Sequence, residues 1–259
     1  MTLTLTYLDD LSRVRILGTD LTGSVAKIER STNQVRWDTV RGAASVSILG
    51  GTIRLDDYEF PAGVEVFYRL TVTTPPGATE SDSITVDLED VWLKSLTRPF
   101  LNRKIRLTDF SEVSRRGRAG IFDVSGRTYP VAVTDVRVSK EQTIYALTNT
   151  KEERRDLDLV LSSGDTSYLH MPEDGPVDSM YVVVGDVSYD RTGYRRTDRR
   201  VFVLPLTEVA SPDSQIVGGT NTCLGVLNSY ATCADVVAEV ATCLDLIEEI
   251  ADASDVIVP

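Results

Sequence analysis

The chain of 259 residues has a single histidine, His170, only three cysteines, and no lysine or arginine after Arg200. With one histidine and no Cys-x-x-Cys pair, the sequence offers no recognisable zinc site and no histidine-dependent catalytic triad. Nucleophile-elbow, P-loop, dinucleotide-binding and His-Glu-x-x-His motifs are also missing. We therefore expect no catalytic residue, no metal and no cofactor, and we predict that the protein is not an enzyme.

Long apolar runs are absent as well, since no stretch approaches the 18 or so residues that a transmembrane helix needs. Met1 leads directly into the alternating sequence TLTLTY, so we expect neither a secretory signal peptide nor membrane insertion. The interpretation is a protein made and assembled in a cytoplasm, where disulfide frameworks are rare. Cys223, Cys233 and Cys243 are accordingly interpreted as small apolar residues.

The formal net charge of −12 is unevenly distributed along the chain. All 27 lysines and arginines precede residue 201, whereas the C-terminal part carries acidic residues alone. Two interpretations stay open: the acidic part pairs with basic patches on a neighbouring copy, or both are ordinary solvated surface. Because the chain is acidic overall and has no recognised motif, we predict no nucleic-acid binding. The basic residues predicted to contact another subunit are Arg115, Arg116, Arg118, Arg195 and Arg196.

A ten-residue unit repeats through residues 221–259, which we call the arm: NTCLGVLNSY, ATCADVVAEV, ATCLDLIEEI and ADASDVIVP. Thr232 with Asp235 three residues later resembles a capping box, so each unit is predicted to be a short helix. The alternative is one amphipathic helix that packs on its own domain. A unit this short cannot bury its apolar face alone, so the arm is predicted to dock elsewhere. The arm residues predicted to contact another subunit are Val226, Leu227, Val236, Val237, Leu246 and Ile247.

The remainder of the chain is predicted to be mainly β. Seven or eight short strands separated by turn signals predict that residues 1–92 form a β-sandwich similar to fibronectin type III or immunoglobulin domains. Trp37 and Tyr68 are predicted core residues of this sandwich. Residues 93–210 predict a second β-domain, a barrel or sandwich with one helix, and residues 211–220 are interpreted as a linker.

The predicted helix runs from Thr150 to Leu161. Thr150 and Glu153 form a capping box, and Gly164 supplies the expected stop. Leu157, Val160 and Leu161 give the helix an apolar face that is expected to pack on the sheet.

Residues 92–103, 122–137, 148–164, 181–187 and 200–209 form five segments of the second domain. These segments resemble minor tail or distal tail proteins of long-tailed, siphovirus-type bacteriophages that infect actinobacteria. The arm is also similar to repeats that end some of these proteins, although cysteine stands here where an aromatic residue is expected.

This resemblance implies a structural virion protein at the tail tip. Such a protein forms a ring, commonly a hexamer of identical copies, between the tail tube and the host-recognition apparatus. The tail tube, the baseplate hub and the tape measure are its expected partners. The alternative is a carbohydrate- or receptor-binding tail module, which would need exposed aromatic side chains; the candidates are Tyr189, Tyr194 and the stretch from Tyr58 to Phe60.

Overall fold

The computed structural model describes residues 1–123, 125, 126, 128–191, 193 and 197–212. Within these residues the protein is mainly β and contains one α-helix. The arm and nearly all of the predicted linker lie outside the described residues, so the helical decads stay a prediction. The domain boundaries at residues 92, 210 and 220 likewise stay predictions.

The first half of the chain folds into two antiparallel sheets that share one hydrophobic core. One sheet has the order β1-β2-β6; the other has the order β4-β3-β7-β8, with β5 also paired to β3. The strands are β1 (Thr2–Leu8), β2 (Arg13–Thr19), β3 (Val25–Ser31), β4 (Asp38–Thr39), β5 (Val46–Ser47), β6 (Ile53–Asp57), β7 (Glu65–Thr74) and β8 (Pro76–Thr85).

The alternation of apolar residues in β7 places Val66, Tyr68, Leu70 and Val72 in the shared core, because successive side chains of a strand point to opposite faces. The prediction for Tyr68 is therefore confirmed. The likeness of this half to fibronectin type III or immunoglobulin domains stays a prediction.

The prediction that Trp37 is a core residue is wrong. Its side chain is half-buried, and the Arg69 guanidinium lies 4.2 Å from the centre of its ring. The cause is local: the Asn33 side-chain oxygen accepts hydrogen bonds from the backbone N–H groups of Val35 and Arg36, at 2.9 and 3.0 Å. These bonds hold a bend ahead of Trp37, and of the strand predicted over residues 34–40 only Asp38–Thr39 (β4) forms.

The second half of the chain contains a closed barrel, which decides between the two predicted architectures. Its elements are β9 (Val91–Ser95), a 3₁₀ turn (Pro99–Leu101), β10 (Arg103–Phe110), β11 (Ala119–Phe122), β12 (Val131–Thr134), β13 (Glu141–Thr148), α1 (Lys151–Ser162), β14 (Ser167–His170), β15 (Met180–Val184), β16 (Ser188–Arg191) and β17 (Arg200–Glu208). Six of the strands follow the order β13-β10-β9-β14-β15-β17. The barrel closes because β17 also pairs with β13 over eight residues, from Glu141 with Thr207 to Thr148 with Arg200.

The helix α1 agrees closely with its prediction. The Thr150 side chain accepts a hydrogen bond from the Glu153 N–H at 3.1 Å, and the Glu153 carboxylate accepts one from the Asn149 N–H at 2.6 Å. The first bond satisfies an N–H group that the start of α1 leaves unpaired, and the second fixes the residue that precedes the cap. Leu157 and Val160 are buried in the barrel core, as the predicted apolar face requires.

The strand β9 falls in a segment that the sequence indicated only as a connection. Four of its five residues are buried, including the polar Lys94 and Ser95. Both faces of β9 are covered, one by the barrel core and the other by contacts with the first half. A strand buried on both faces shows no apolar alternation, which explains why the pattern missed it.

Candidate assembly surface

The connection between β10 and β13 forms a two-stranded extension of the barrel, residues 114–141, which we call the ribbon. Ser114 and Glu141 exchange two backbone hydrogen bonds of 2.8 Å at its root. Further out, the Val138 N–H donates to the Arg116 carbonyl at 2.9 Å and the Asp135 N–H donates to the Arg118 carbonyl at 2.8 Å. Strands β11 and β12 then continue the pairing as far as Phe122 opposite Val131. At a rise of about 3.3 Å per residue, the ribbon extends roughly 26 Å from its root.

The ribbon carries apolar side chains that are open to solvent. None of its described residues is buried. The exposed fraction is 82% for Tyr129, 69% for Ile121, 62% for Val133 and 58% for Phe122. An isolated two-stranded ribbon is at best marginally stable in water, and a continuous apolar patch on a surface is typical of an interaction site. The ribbon is therefore the strongest candidate contact surface among the described residues.

Register assigns these side chains to two faces. Phe122 lies opposite Val131 and Gly120 lies opposite Val133, so these four residues share one face. Ile121 and its partner Ala132 lie on the other face. The ring of Phe122 folds over Gly120: a Cβ atom added at Gly120 would lie 2.8 Å from the ring. Glycine thus allows the aromatic ring to lie flat along the ribbon and widens its apolar face.

Three of the predicted contact residues lie on this ribbon. Arg115, Arg116 and Arg118 are exposed near its root. Arg116 pairs with Glu141 at 2.6 Å, and Arg118 lies 3.9 Å from Asp135. Exposed ion pairs of this kind contribute little to stability, so the arginines remain available to a partner. Their role as subunit contacts stays a prediction.

The other predicted contacts fall outside the described residues. These are Arg195 and Arg196 together with the six arm positions, and their roles stay predictions.

The aromatic residues that a glycan-binding face would need are not gathered on one surface. Phe60 is fully buried, and Tyr58 is half-buried beside it. Tyr189 is 55% exposed but packs against Phe202, with 5.1 Å between the ring centres. Tyr194 lies outside the described residues. The proposal of Phe60 as a binding residue is therefore wrong, because its side chain belongs to the core of the first half.

The two cores are joined by a buried lysine that the sequence did not single out. Lys94, on β9, donates hydrogen bonds to the carbonyl oxygens of Ser12 (2.6 Å) and Tyr58 (2.8 Å), both in the first half. Its Nζ atom also lies 2.7 Å from Nδ1 of His170 on β14. Burial lowers the pKa of Lys94 well below its usual range, although Asp57 and Glu59 oppose this shift.

A second set of charged groups surrounds this junction. Asp57 accepts hydrogen bonds from Arg30 (2.6 Å) and from the Tyr68 hydroxyl (2.8 Å). Glu59 pairs with Arg41 and accepts a hydrogen bond of 2.6 Å from the Tyr181 hydroxyl on β15. Burial disfavours the charged form of Arg30, but Asp57 outweighs it and raises the pKa of Arg30. The Tyr181 hydrogen bond to Glu59 ties the barrel wall to this network of paired charges in the first half.

The stability of the protein is expected to fall as the pH drops below about 6.5 because of His170. Burial, with Lys94 and Arg30 nearby, lowers the pKa of His170 well below its usual value, and the rings of Phe60 and Tyr168 also pack on it. Between that lowered pKa and about 6.5, the unfolded chain binds a proton that the folded chain does not. We expect wild type to lose about 1 kcal/mol from this source between pH 7.5 and 5.5, measured by urea unfolding.

His170→Gln supplies the matched control for this pH dependence, since it removes the chain's one histidine and leaves every carboxylate in place. The variant should show a shallower loss over the same pH interval. An equal loss in both proteins would assign the effect to other titrating groups and contradict the prediction.

The described residues contain no helix long and apolar enough to cross a membrane. They also contain no group of three or more His, Cys, Asp or Glu side chains placed to hold a metal ion.

Comparison with known proteins gives similarities among solved structures and no family. No family model matches the chain, and no curated protein matches it. Among solved structures, a similar chain belongs to the tail of an empty GTA particle, computed with helical refinement under C6 symmetry. The two chains are 11% identical with a TM-score of 0.31, and the match covers 47% of this chain and 91% of the other.

Proposed function

We propose that the protein is a structural subunit of a phage tail, with no enzymatic role, that assembles into a ring at the tail tip. The ribbon carries this proposal, because a stable body with an exposed apolar extension suits a subunit that joins its neighbours. The resemblance of residues 92–209 to distal and minor tail proteins supports a ring of six copies between the tail tube and the host-recognition apparatus. The baseplate hub and the tape measure are proposed neighbours.

The geometry of the body supports two separate roles within such a subunit: the two halves form the rigid part, and the ribbon makes the contact with a neighbour. Barrel closure pairs the strand edges that would otherwise recruit other chains without specificity. The contacts of Lys94 join the barrel to the first half, so a force that acts on one half is passed to the other. Selective contact is then left to the ribbon, whose register fixes which side chains a neighbour meets.

The expected result in solution is an oligomer of about six times the 28.5 kDa of one chain, measured by light scattering. Replacing Ile121 and Val133 together by Asp puts a charge on each face of the ribbon. Burial of each apolar side chain contributes about 1.5–3 kcal/mol, so the double variant should weaken association on the order of 100-fold or more. It should elute as a monomer at concentrations where wild type is assembled.

A matched control is the pair Val35→Asp and Leu49→Asp, two exposed apolar residues of the first half. This control should assemble like wild type, and circular dichroism should show all three proteins folded. A wild-type chain that stays monomeric at every concentration tested would overturn the proposed self-assembly. Normal assembly of the ribbon variant would show that the ribbon is not part of the contact between subunits.

A further inference from the structure

We infer that the arm of a second copy docks on the apolar side chains of the ribbon, so that ribbon and arm form one subunit contact. This inference rests on the proposed ring and names the two surfaces that would build it. Its first support is charge. Residues 114–138 contain five arginines against Asp123 and Asp135, whereas the arm contains seven acidic residues and no basic one. The two segments therefore attract each other at neutral pH.

The second support is the apolar pattern of each segment. The ribbon presents Phe122, Val131 and Val133 on one face, next to exposed arginines at its root. The second, third and fourth arm units each carry an apolar pair, such as Val236 and Val237, directly after an aspartate. A partner for the ribbon must cover aliphatic and aromatic groups and must also carry acidic groups that can pair with the arginines. The arm repeats an apolar pair beside an acidic residue about every ten residues.

The third support is where the chain leaves the barrel. The N–H of Glu208, at the end of β17, donates to the Lys140 carbonyl at 2.8 Å, and the Lys140 N–H donates to the Glu208 carboxylate at 3.1 Å. Lys140 adjoins Glu141 at the ribbon root, so the chain continues towards the arm from the place where the ribbon begins. The twelve residues 209–220 can span up to about 40 Å, which exceeds the length of the ribbon.

Symmetry favours a second copy over the same chain as the source of the arm. Ribbon and arm are different surfaces that complement each other, and a chain carrying both forms head-to-tail contacts that close into a ring. Each copy then donates one arm and receives one, and every ribbon in the ring is covered. Closure also makes the last contact intramolecular, which strengthens a set of individually modest contacts.

The native cysteines make a direct test possible, because all three lie in the arm and the body has none. One protein carries Val133→Cys with Cys223, Cys233 and Cys243 replaced by serine; it is mixed with wild type and mildly oxidised. A disulfide between the two proteins then joins one copy's ribbon to the other copy's arm. The control places the new cysteine at Val35, which is equally apolar and 85% exposed. We expect the Val133 protein to cross-link at least about ten-fold more than the control, because docking raises the local thiol concentration.

The outcomes distinguish a failure of arm docking from a failure of the proposed ring. Equal cross-linking at positions 133 and 35, in a sample whose mass shows a ring, overturns arm docking and leaves the ring in place. Val133→Cys in a chain that keeps its three native cysteines tests whether the arm of the same chain covers the ribbon. If its disulfide forms only within one chain and the mixture gives none, the arm covers its own ribbon and the second-copy contact is wrong. Monomers at all concentrations, by contrast, overturn the ring itself.

Discussion

Replacing Lys94 with methionine should lower the free energy of unfolding by about 3 kcal/mol, measured by urea denaturation at pH 7.5. Methionine fills a similar volume, so the loss comes from the carbonyl oxygens of Ser12 and Tyr58, which remain buried without their donor. A buried group left unsatisfied costs about 1–3 kcal/mol. Ser12 adds to this effect because it lies in the left-handed region, with φ of 49°, and Lys94 holds it there.

Lys104→Met is the matched control for this prediction. Lys104 lies on the neighbouring strand β10 and pairs with Asp9 at 2.9 Å and Asp90 at 3.1 Å, but its side chain is 44% exposed. Solvent screens such pairs, so the control should lose less than about 1 kcal/mol. If the two variants were equally stable, Lys94 could not be the link between the two cores that we assign it to be.

Asp57→Ala should lower the free energy of unfolding by about 3–5 kcal/mol, which is the larger of the two effects. The substitution leaves the largely buried guanidinium of Arg30 without its closest counter-charge and the buried Tyr68 hydroxyl without its acceptor. Removing one member of a buried ion pair is costly because the other charge stays away from water. The same denaturation measurement applies, and the protein should remain folded in the absence of urea if its stability exceeds this loss.

Asp38→Ala controls for the loss of a carboxylate from an Arg–Asp pair at the surface. Asp38 lies 3.4 Å from Arg36, and both side chains are mostly exposed, so little change in stability is expected. The double variant Asp57→Ala with Arg30→Met adds a second check. It should recover part of the loss, because it removes the charge that Asp57→Ala leaves unpaired. No recovery would show that packing, and not the unpaired charge, accounts for the single variant.

Local patterns in the sequence were sufficient to predict those elements whose conformation depends on side chains a few residues apart. The capping box of Thr150 and Glu153 placed α1 within a residue of its observed start. The alternation of β7 gave both the strand and its buried face, including Tyr68. The turn signal at Asn33 was recognised, but a strand was predicted to begin directly after it; the hydrogen bonds of Asn33 to Val35 and Arg36 extend the turn, so Trp37 was placed in the core by mistake.

The candidate surface was only partly predictable. The arginines at positions 115, 116 and 118 were singled out in the sequence, and they lie near the root of the ribbon. Residues 120–124 and 131–137 have the composition of ordinary buried strands, however, and no local signal shows that Ile121 or Val133 faces solvent. The solvent exposure of a side chain depends on which other parts of the chain pack against it. It can therefore be assessed only from the tertiary structure.

The sequence by itself determined that the chain is mainly β, where α1 and most of the strands lie, and that all positive charge precedes an acidic repeat. The tertiary structure alone decided that the barrel closes, that Lys94 lies buried between two cores, and that the ribbon stands in solvent. Strand periodicity and helix caps depend on neighbours a few residues apart, so they can be seen in the sequence. Closure of β13 on β17 and burial of β9 depend on pairings between distant residues, and a short sequence window does not contain both partners.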